Sequence, residues 1–122
     1  ILKLPKSLFM TEKGIKYLSD ILQAIELIEE FTAPVFSYEV YIDDLKTQSA
    51  VERQLGIIGE AVNKFIAIPE KSLENAAKIV GFRNRLIHAY DAVDTSIVWV
   101  IIKRYLPPLK EEVIQKMTQQ QD

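Results

Sequence analysis

The stretch ending at Ile66 constrains this chain most. Gln48, Val51, Leu55, Ile58, Val62 and Phe65 recur at steps of three and four residues, which places them on one face of an α-helix. A helix starting between Ser37 and Asp44 and running to about Ile66 presents a long apolar stripe, and burying it requires other helices packed alongside. The rest of the chain supplies them. Thr11 offers an N-cap for a first helix whose stripe is Ile15, Leu18, Leu22, Ile25 and Ile28, ending near Phe31 before Ala33-Pro34. The residue before a proline disfavours helical geometry. After Pro69, the segment Ser72 to Val93 predicts a third helix with Ile79, Phe82, Leu86, Ala89 and Val93 inward. Asp94-Thr95-Ser96 then caps a fourth.

The run from Ile97 to Ile102 is good strand material as well. No second strand-like run exists for it to pair with, so a helix is expected. Because it is apolar on every side, it either sits centrally or turns its second face to another subunit. Pro107-Pro108 is expected to end it and to open a short C-terminal helix through Leu109, Val113, Ile114 and Met117. The expected fold is therefore all-α, an up-and-down bundle of four main helices plus a short C-terminal helix. Its domain spans 11–117, between an N-terminal arm, 1–10, and a disordered tail, 118–122. The chain begins with Ile1, and Met10 stands as an alternative natural start.

Composition narrows the chemistry. The chain has 122 residues, and its 15 Lys and Arg against 17 Asp and Glu give a net charge of −2. That argues against diffuse coating of nucleic acid but leaves room for a small basic patch. Without cysteine there are no disulfides and no thiolate nucleophiles or ligands, which suits a cytoplasmic location. The longest apolar run, Ile97 to Ile102, falls far short of the roughly 20 residues that span a bilayer, so no membrane segment is expected. The N-terminal arm lacks the features of a secretory signal. Four glycines, at 14, 56, 59 and 81, form no phosphate-cradling loop. A lone histidine forms no metal motif, and no serine has a glycine-flanked elbow. No metal or cofactor is expected. Gly56 and Gly59 each cost a helix about 1 kcal/mol relative to Ala. Either a neighbouring helix approaches closely there, or the cost is simply tolerated.

One segment concentrates reactive side chains: Gly81-Phe82-Arg83-Asn84-Arg85-Leu86-Ile87-His88-Ala89-Tyr90-Asp91. On a helix, at roughly 100° per residue, Tyr90 lies almost above Arg83 and His88 above Asn84. Ile87 falls between polar neighbours, suggesting a groove or a face completed by another chain. The plain structural alternative is that Arg83, Arg85 and His88 meet the negative end of the helix dipole and Tyr90 caps the core. Glu60 is a weaker candidate. It either orients a catalytic group or pairs with Lys64 one turn on, and Arg53 lies seven residues before it on the same face.

The pattern Arg83-Asn84, then His88, one residue, then Tyr90 resembles the signature of the HepT-like toxins of the HEPN superfamily. Asp44 to Leu55 followed by Ile57-Ile58-Gly59-Glu60-Ala61 resembles that family's second helix. Val93-Asp94, Ile97-Val98-Trp99 and Leu106-Pro107-Pro108-Leu109 resemble its end segment. The similarity covers about Thr11 to Met117. One departure is Leu73-Glu74-Asn75, where family members often carry a Trp.

The resemblance implies an all-α bundle and a metal-independent endoribonuclease, the toxin of a type II/VII-like toxin–antitoxin pair. The ribose 2′-OH would attack the adjacent phosphate. Arg83 and His88 would be catalytic, Arg83 on the phosphate oxygens and His88 moving the proton. Asn84 and Tyr90 would support them, and Tyr90 would also be the hydroxyl that a minimal nucleotidyltransferase antitoxin adenylylates. One histidine is short of the acid and base such chemistry usually employs, and a homodimer would bring two copies of His88 toward one groove. Arg85, Lys103 and Arg104 are the candidates for RNA contact, joined by Lys78. So few cations suggest a structured target such as tRNA, read by shape. The alternative function is a non-catalytic binding or accessory subunit of the nucleotidyltransferase.

Overall fold

The computed structural model describes residues 11–88 and 94–119, with the side chains of 86–88 outside that description. The expected N-terminal arm and the last three residues therefore fall outside it. The described residues form six α-helices and one π-helical turn: α1 (Glu12–Thr32), α2 (Tyr38–Ile42), α3 (Leu45–Ile66), α4 (Ala77–His88), α5 (Thr95–Val100), the π turn (Ile101–Tyr105) and α6 (Leu106–Gln119). No strand occurs among the described residues, so the expected all-α bundle is what forms. None of these helices is long and apolar enough to cross a membrane.

Side chains from the preceding residue start four of the helices. The Thr11 hydroxyl accepts from Gly14 N–H at 3.0 Å, Ser37 from Val40 at 3.3 Å, Asp44 from Thr47 at 3.0 Å and Asp94 from Ser96 at 2.9 Å. Each satisfies a donor that the first turn leaves unpaired. Bonds from Thr47 hold the Asp44 carboxyl below its ordinary value of 3.8.

The double cap at Ser37 and Asp44 corrects one expectation. What reads as a single helix from the Ser37–Asp44 region is a five-residue helix followed by a fresh start at Leu45. Gln48 secures the break from below. Its amide Nε2 donates to the carbonyls of Tyr41 at 2.8 Å and Ile42 at 3.0 Å, at the end of α2. Replacing Gln48 with Leu strips a partner from both carbonyls in a largely buried site, with an expected loss of about 1–3 kcal/mol. A denaturant titration reads this as a lower midpoint with an unchanged slope.

The core lies where α1 packs along α3, with α4 against α3 and α6 against α1. Every residue of the α3 stripe is buried, as its spacing predicts. In α1 the buried line is Leu18, Ile21, Ala24, Ile25 and Ile28, whereas Ile15 is 39% exposed. The stripe is thus rotated from the expected one, with Ile21 taking the place given to Ile15 and Leu22 at its edge. Trp99 anchors α5 to α2. Its ring lies 5.3 Å from that of Tyr41 and 6.3 Å from that of Tyr38, and the Tyr38 hydroxyl pairs with Thr95 at 3.0 Å.

Two further expectations change. The third helix begins at Ala77, not Ser72. After α3 the chain turns through Pro69 and Glu70, with Glu70 at φ 68° and Lys71 N–H on the Ile68 carbonyl at 3.1 Å. Farther on, Glu112 of α6 accepts from the backbone N–H groups of Glu74 and Asn75 at 2.8 and 3.1 Å. Those amides are committed to a distant carboxylate, which stops helix from propagating back through them. Leu73, within the segment that departs from the family pattern, is buried and fills core.

Pro107-Pro108 does not end the fourth helix. The π turn Ile101–Tyr105 leads without a break into α6, and Leu106 N–H reaches the Ile101 carbonyl five residues back. Both prolines, which have no N–H to donate to the carbonyls behind them, directly follow that wider turn at the start of the α6 segment. Helix α6 is accordingly 14 residues long and carries Thr118 and Gln119 within it, two residues past the end expected at Met117. A 2.8 Å ion pair from Lys110 to Glu29 ties it to α1. Of the all-round apolar run, Val98, Ile101 and Ile102 are buried, while Val100 is 40% exposed.

Candidate functional site

Helix α4 carries the Arg-Asn-x₃-His segment, and α3 sets where its arginine stands. Arg83 is half-buried, with its stem lying directly on Gly59. A Cβ built at Gly59 would overlap the Cβ and Cγ of Arg83 and come within 3.4 Å of its Cδ. The absent side chain is therefore what lets the two helices approach here. Gly56, one turn earlier, faces open space. Of the two explanations for glycine inside this helix, close approach holds at Gly59 and tolerance at Gly56.

With its stem clamped, the guanidinium is oriented by a further contact: Arg83 Nη1 donates to Asn84 Oδ1 at 3.3 Å. No carboxylate among the described residues pairs with it. A planar, always charged fork held in this way suits a phosphate better than a flexible ammonium would. Asn84 is thus brought together with Arg83. His88 is the last residue of α4, four residues beyond Asn84, and its side chain lies outside the described residues, as does Tyr90 entirely. Ile87's side chain and Asp91 share that position.

The remaining candidates separate. Glu60 pairs with Lys64 at 3.2 Å, both more than half exposed, so the ordinary surface pair is what forms; such a pair contributes at most about 1 kcal/mol. Lys103 sets its ammonium 4.7 Å from the centre of the Trp99 ring, a cation–π contact. Arg104 is exposed, and neither residue joins Arg85. Arg85 instead lines a groove of about 510 Å³ with Lys78 and Tyr105. Tyr105 escapes a reading by helical stripes because the π turn that orients it is invisible to periodicity. Sequence reasoning also passed over Glu52, whose carboxyl burial pushes upward. It lies seven residues before Gly59 and hence on the same side of α3.

Similarity to known proteins agrees with this architecture. The family described as "Ribonuclease HepT-like" matches residues 21–116. "Probable ribonuclease HepT" of Thermococcus cleftensis is 46% identical over 99 residues, covering 77% of this chain and 86% of that protein. "Putative RNase MJ1380" of Methanocaldococcus jannaschii is 36% identical over 113 residues, covering 85% and 97% respectively. "Putative RNase TTE0752" of Caldanaerobacter subterraneus is 35% identical over 102 residues, covering 80% and 88%. No solved structure matches the chain. The helical bundle, the arginine set by Gly59 and the match across most of the chain lead to one conclusion: this protein belongs to the HepT-like family of ribonucleases.

Proposed function

We propose that the chain is a metal-independent endoribonuclease that acts in the cytoplasm as the toxin of a toxin–antitoxin pair. The arginine whose stem packs on Gly59 is the observation that carries this reading, because a guanidinium presents a planar fork of donors that matches a phosphate. In the proposed reaction the 2′-OH oxygen of one ribose attacks the adjacent phosphorus. His88 takes the 2′-OH proton, and the bond from phosphorus to the 5′-oxygen breaks. The products are a 2′,3′-cyclic phosphate and a 5′-OH, the latter protonated by a second acid. Arg83 holds the charge that grows on the non-bridging oxygens, and Asn84 holds Arg83.

A two-fold dimer supplies that second acid as the His88 of the other copy, since an isologous interface presents each patch twice. Tyr90 follows Arg83 by seven residues in the sequence, a spacing that would equal two turns if the helix continued. Transfer of an adenylyl group from ATP to its hydroxyl, releasing pyrophosphate, would put a phosphodiester anion within reach of Arg83 and compete with RNA for it. The partner is then a minimal nucleotidyltransferase acting as antitoxin.

Co-expression tests this. The chain alone is expected to arrest growth, and a cognate nucleotidyltransferase is expected to relieve the arrest while adding adenylyl mass to the toxin. Tyr90→Phe should stay toxic in the partner's presence. Relief of Tyr90→Phe equal to that of the wild type would show that neutralisation does not pass through this hydroxyl, and a harmless wild type would remove the toxin reading.

A further inference from the structure

The groove between α4 and the α5–π segment does not belong to the Arg83 cluster. Arg85 follows Arg83 by two residues, so the two diverge by roughly 160° around the helix. Arg83 leans on α3, whereas Arg85 faces α5 and the π turn. Lys78 precedes Arg85 by seven residues, which sets both on one side of α4, about 10 Å apart along the axis. Gly81 lies between them, and a Cβ there would meet no atom within 4 Å. The floor is apolar, made by the buried Phe82 and Ile101, and Tyr105 stands in the opposite wall.

Charge singles this groove out. The chain is net negative, yet among the described residues two cations and no acidic residue line the groove. Neither cation is paired with a carboxylate among the described residues. The π turn completes it. Over eight residues an unbroken α-helix rotates roughly 80° past two full turns, which would swing Tyr105 away from Ile97. The wider turn keeps Ile97, Ile101 and Tyr105 along one wall, and such turns recur at binding sites.

From this arrangement we infer that the groove is an RNA subsite. It takes one nucleotide of a single-stranded segment, with the base against Tyr105 and the apolar floor and its flanking phosphates on Lys78 and Arg85. The size suits a small ligand, and stacking on an aromatic wall between cations is how unpaired nucleotides are generally held. A second copy of the chain fits less well, because a two-fold interface through this groove brings like-charged rims together. The inference rests on the ribonuclease reading for its choice of ligand. It places a flanking nucleotide, not the scissile phosphate, on this side of α4.

Binding can be separated from cleavage. The His88→Ala chain, folded and intact, is titrated with a labelled single-stranded RNA of about ten nucleotides at several salt concentrations. Adding Lys78→Gln and Arg85→Gln together should weaken binding at least about 10-fold. The slope of log affinity against log salt should shrink by about 1.4, two phosphates at roughly 0.7 each. Gly81→Phe, which fills the groove without touching charge, should weaken binding and leave the slope alone, while Lys116→Gln should change neither. Unchanged binding in the groove variants, or no binding by the parent at low salt, overturns the subsite. So does a shift in oligomeric mass with RNA affinity intact, which would make the groove a contact between copies. Cleavage by the unmutated chain, followed separately, decides the ribonuclease reading on its own terms.

Discussion

Replacing His88 with alanine is expected to lower the rate of RNA cleavage by about 10²–10⁴-fold, the usual contribution of a positioned acid or base. Replacing Arg83 with alanine should cost about 10²–10³-fold, as expected for losing a group that stabilises charge developing in the transition state. The two losses should arise at kcat, since the proposed mechanism has both groups act mainly on the transition state. Arg83→Lys is the informative intermediate. A lysine keeps the charge and an aliphatic stem against Gly59 but loses the planar fork and the means to hold Asn84 as Arg83 does. Its activity should fall between those of Arg83 and alanine. Single-turnover cleavage of a saturating RNA checks all three. If Arg83→Lys matches the wild type, a point charge suffices and the clamped fork is incidental.

Gly59→Ala carries the second largest effect. The new methyl would occupy the space of the Arg83 stem, so either α4 shifts or Arg83 adopts another rotamer. Overpacking of this kind costs about 1–3 kcal/mol, offset in part by the better helix propensity of alanine, about 1 kcal/mol. Displacing a positioned group by about 1 Å can cost 10²-fold in rate, and a loss of about 10–100-fold is expected here. Gly56→Ala is the matched control. Its Cβ meets nothing within 4 Å, so it should gain up to about 1 kcal/mol with full activity. A cycle separates positioning from general damage: added to Arg83→Ala, Gly59→Ala should cost little further activity, because the residue it positions is already gone. Additive losses would mean that Gly59 acts by another route.

Much of this fold is legible from residue spacing, and the exceptions have specific causes. The α3 stripe is buried to the last residue, because this face packs along α1 and α4 and is apolar except at Gln48, whose amide bonds the end of α2. The cap at Thr11 follows from local chemistry, whereas the helical state of Ile97 to Ile102 is legible only because the sequence holds no second strand-like run for it to pair with. The start of α4 is not, because Glu112, 38 residues beyond Glu74, supplies the bonds that end the preceding turn. The π turn is hidden as well. A proline pair reads locally as a stop, whereas here it directly follows the wider π turn within a continuing helix.

The site is legible in part. The residue types at 83, 84, 88 and 90 are plain, and glycine at 59 hints at a close approach. That the approach is to Arg83 itself depends on how two helices cross, which no sequence spacing encodes. The position of Lys103 over the Trp99 ring is likewise set by tertiary packing, not by spacing along the sequence.

The most direct test of the proposed mechanism is the chemistry of the RNA ends. The purified chain is incubated with single-stranded RNA in excess EDTA, beside His88→Ala, and the products are mapped. Fragments carrying 2′,3′-cyclic phosphates and 5′-OH ends, absent with His88→Ala, are the expected result. Fragments with 3′-OH and 5′-phosphate ends, or cleavage that EDTA abolishes or His88→Ala leaves intact, would contradict metal-independent attack by the 2′-OH.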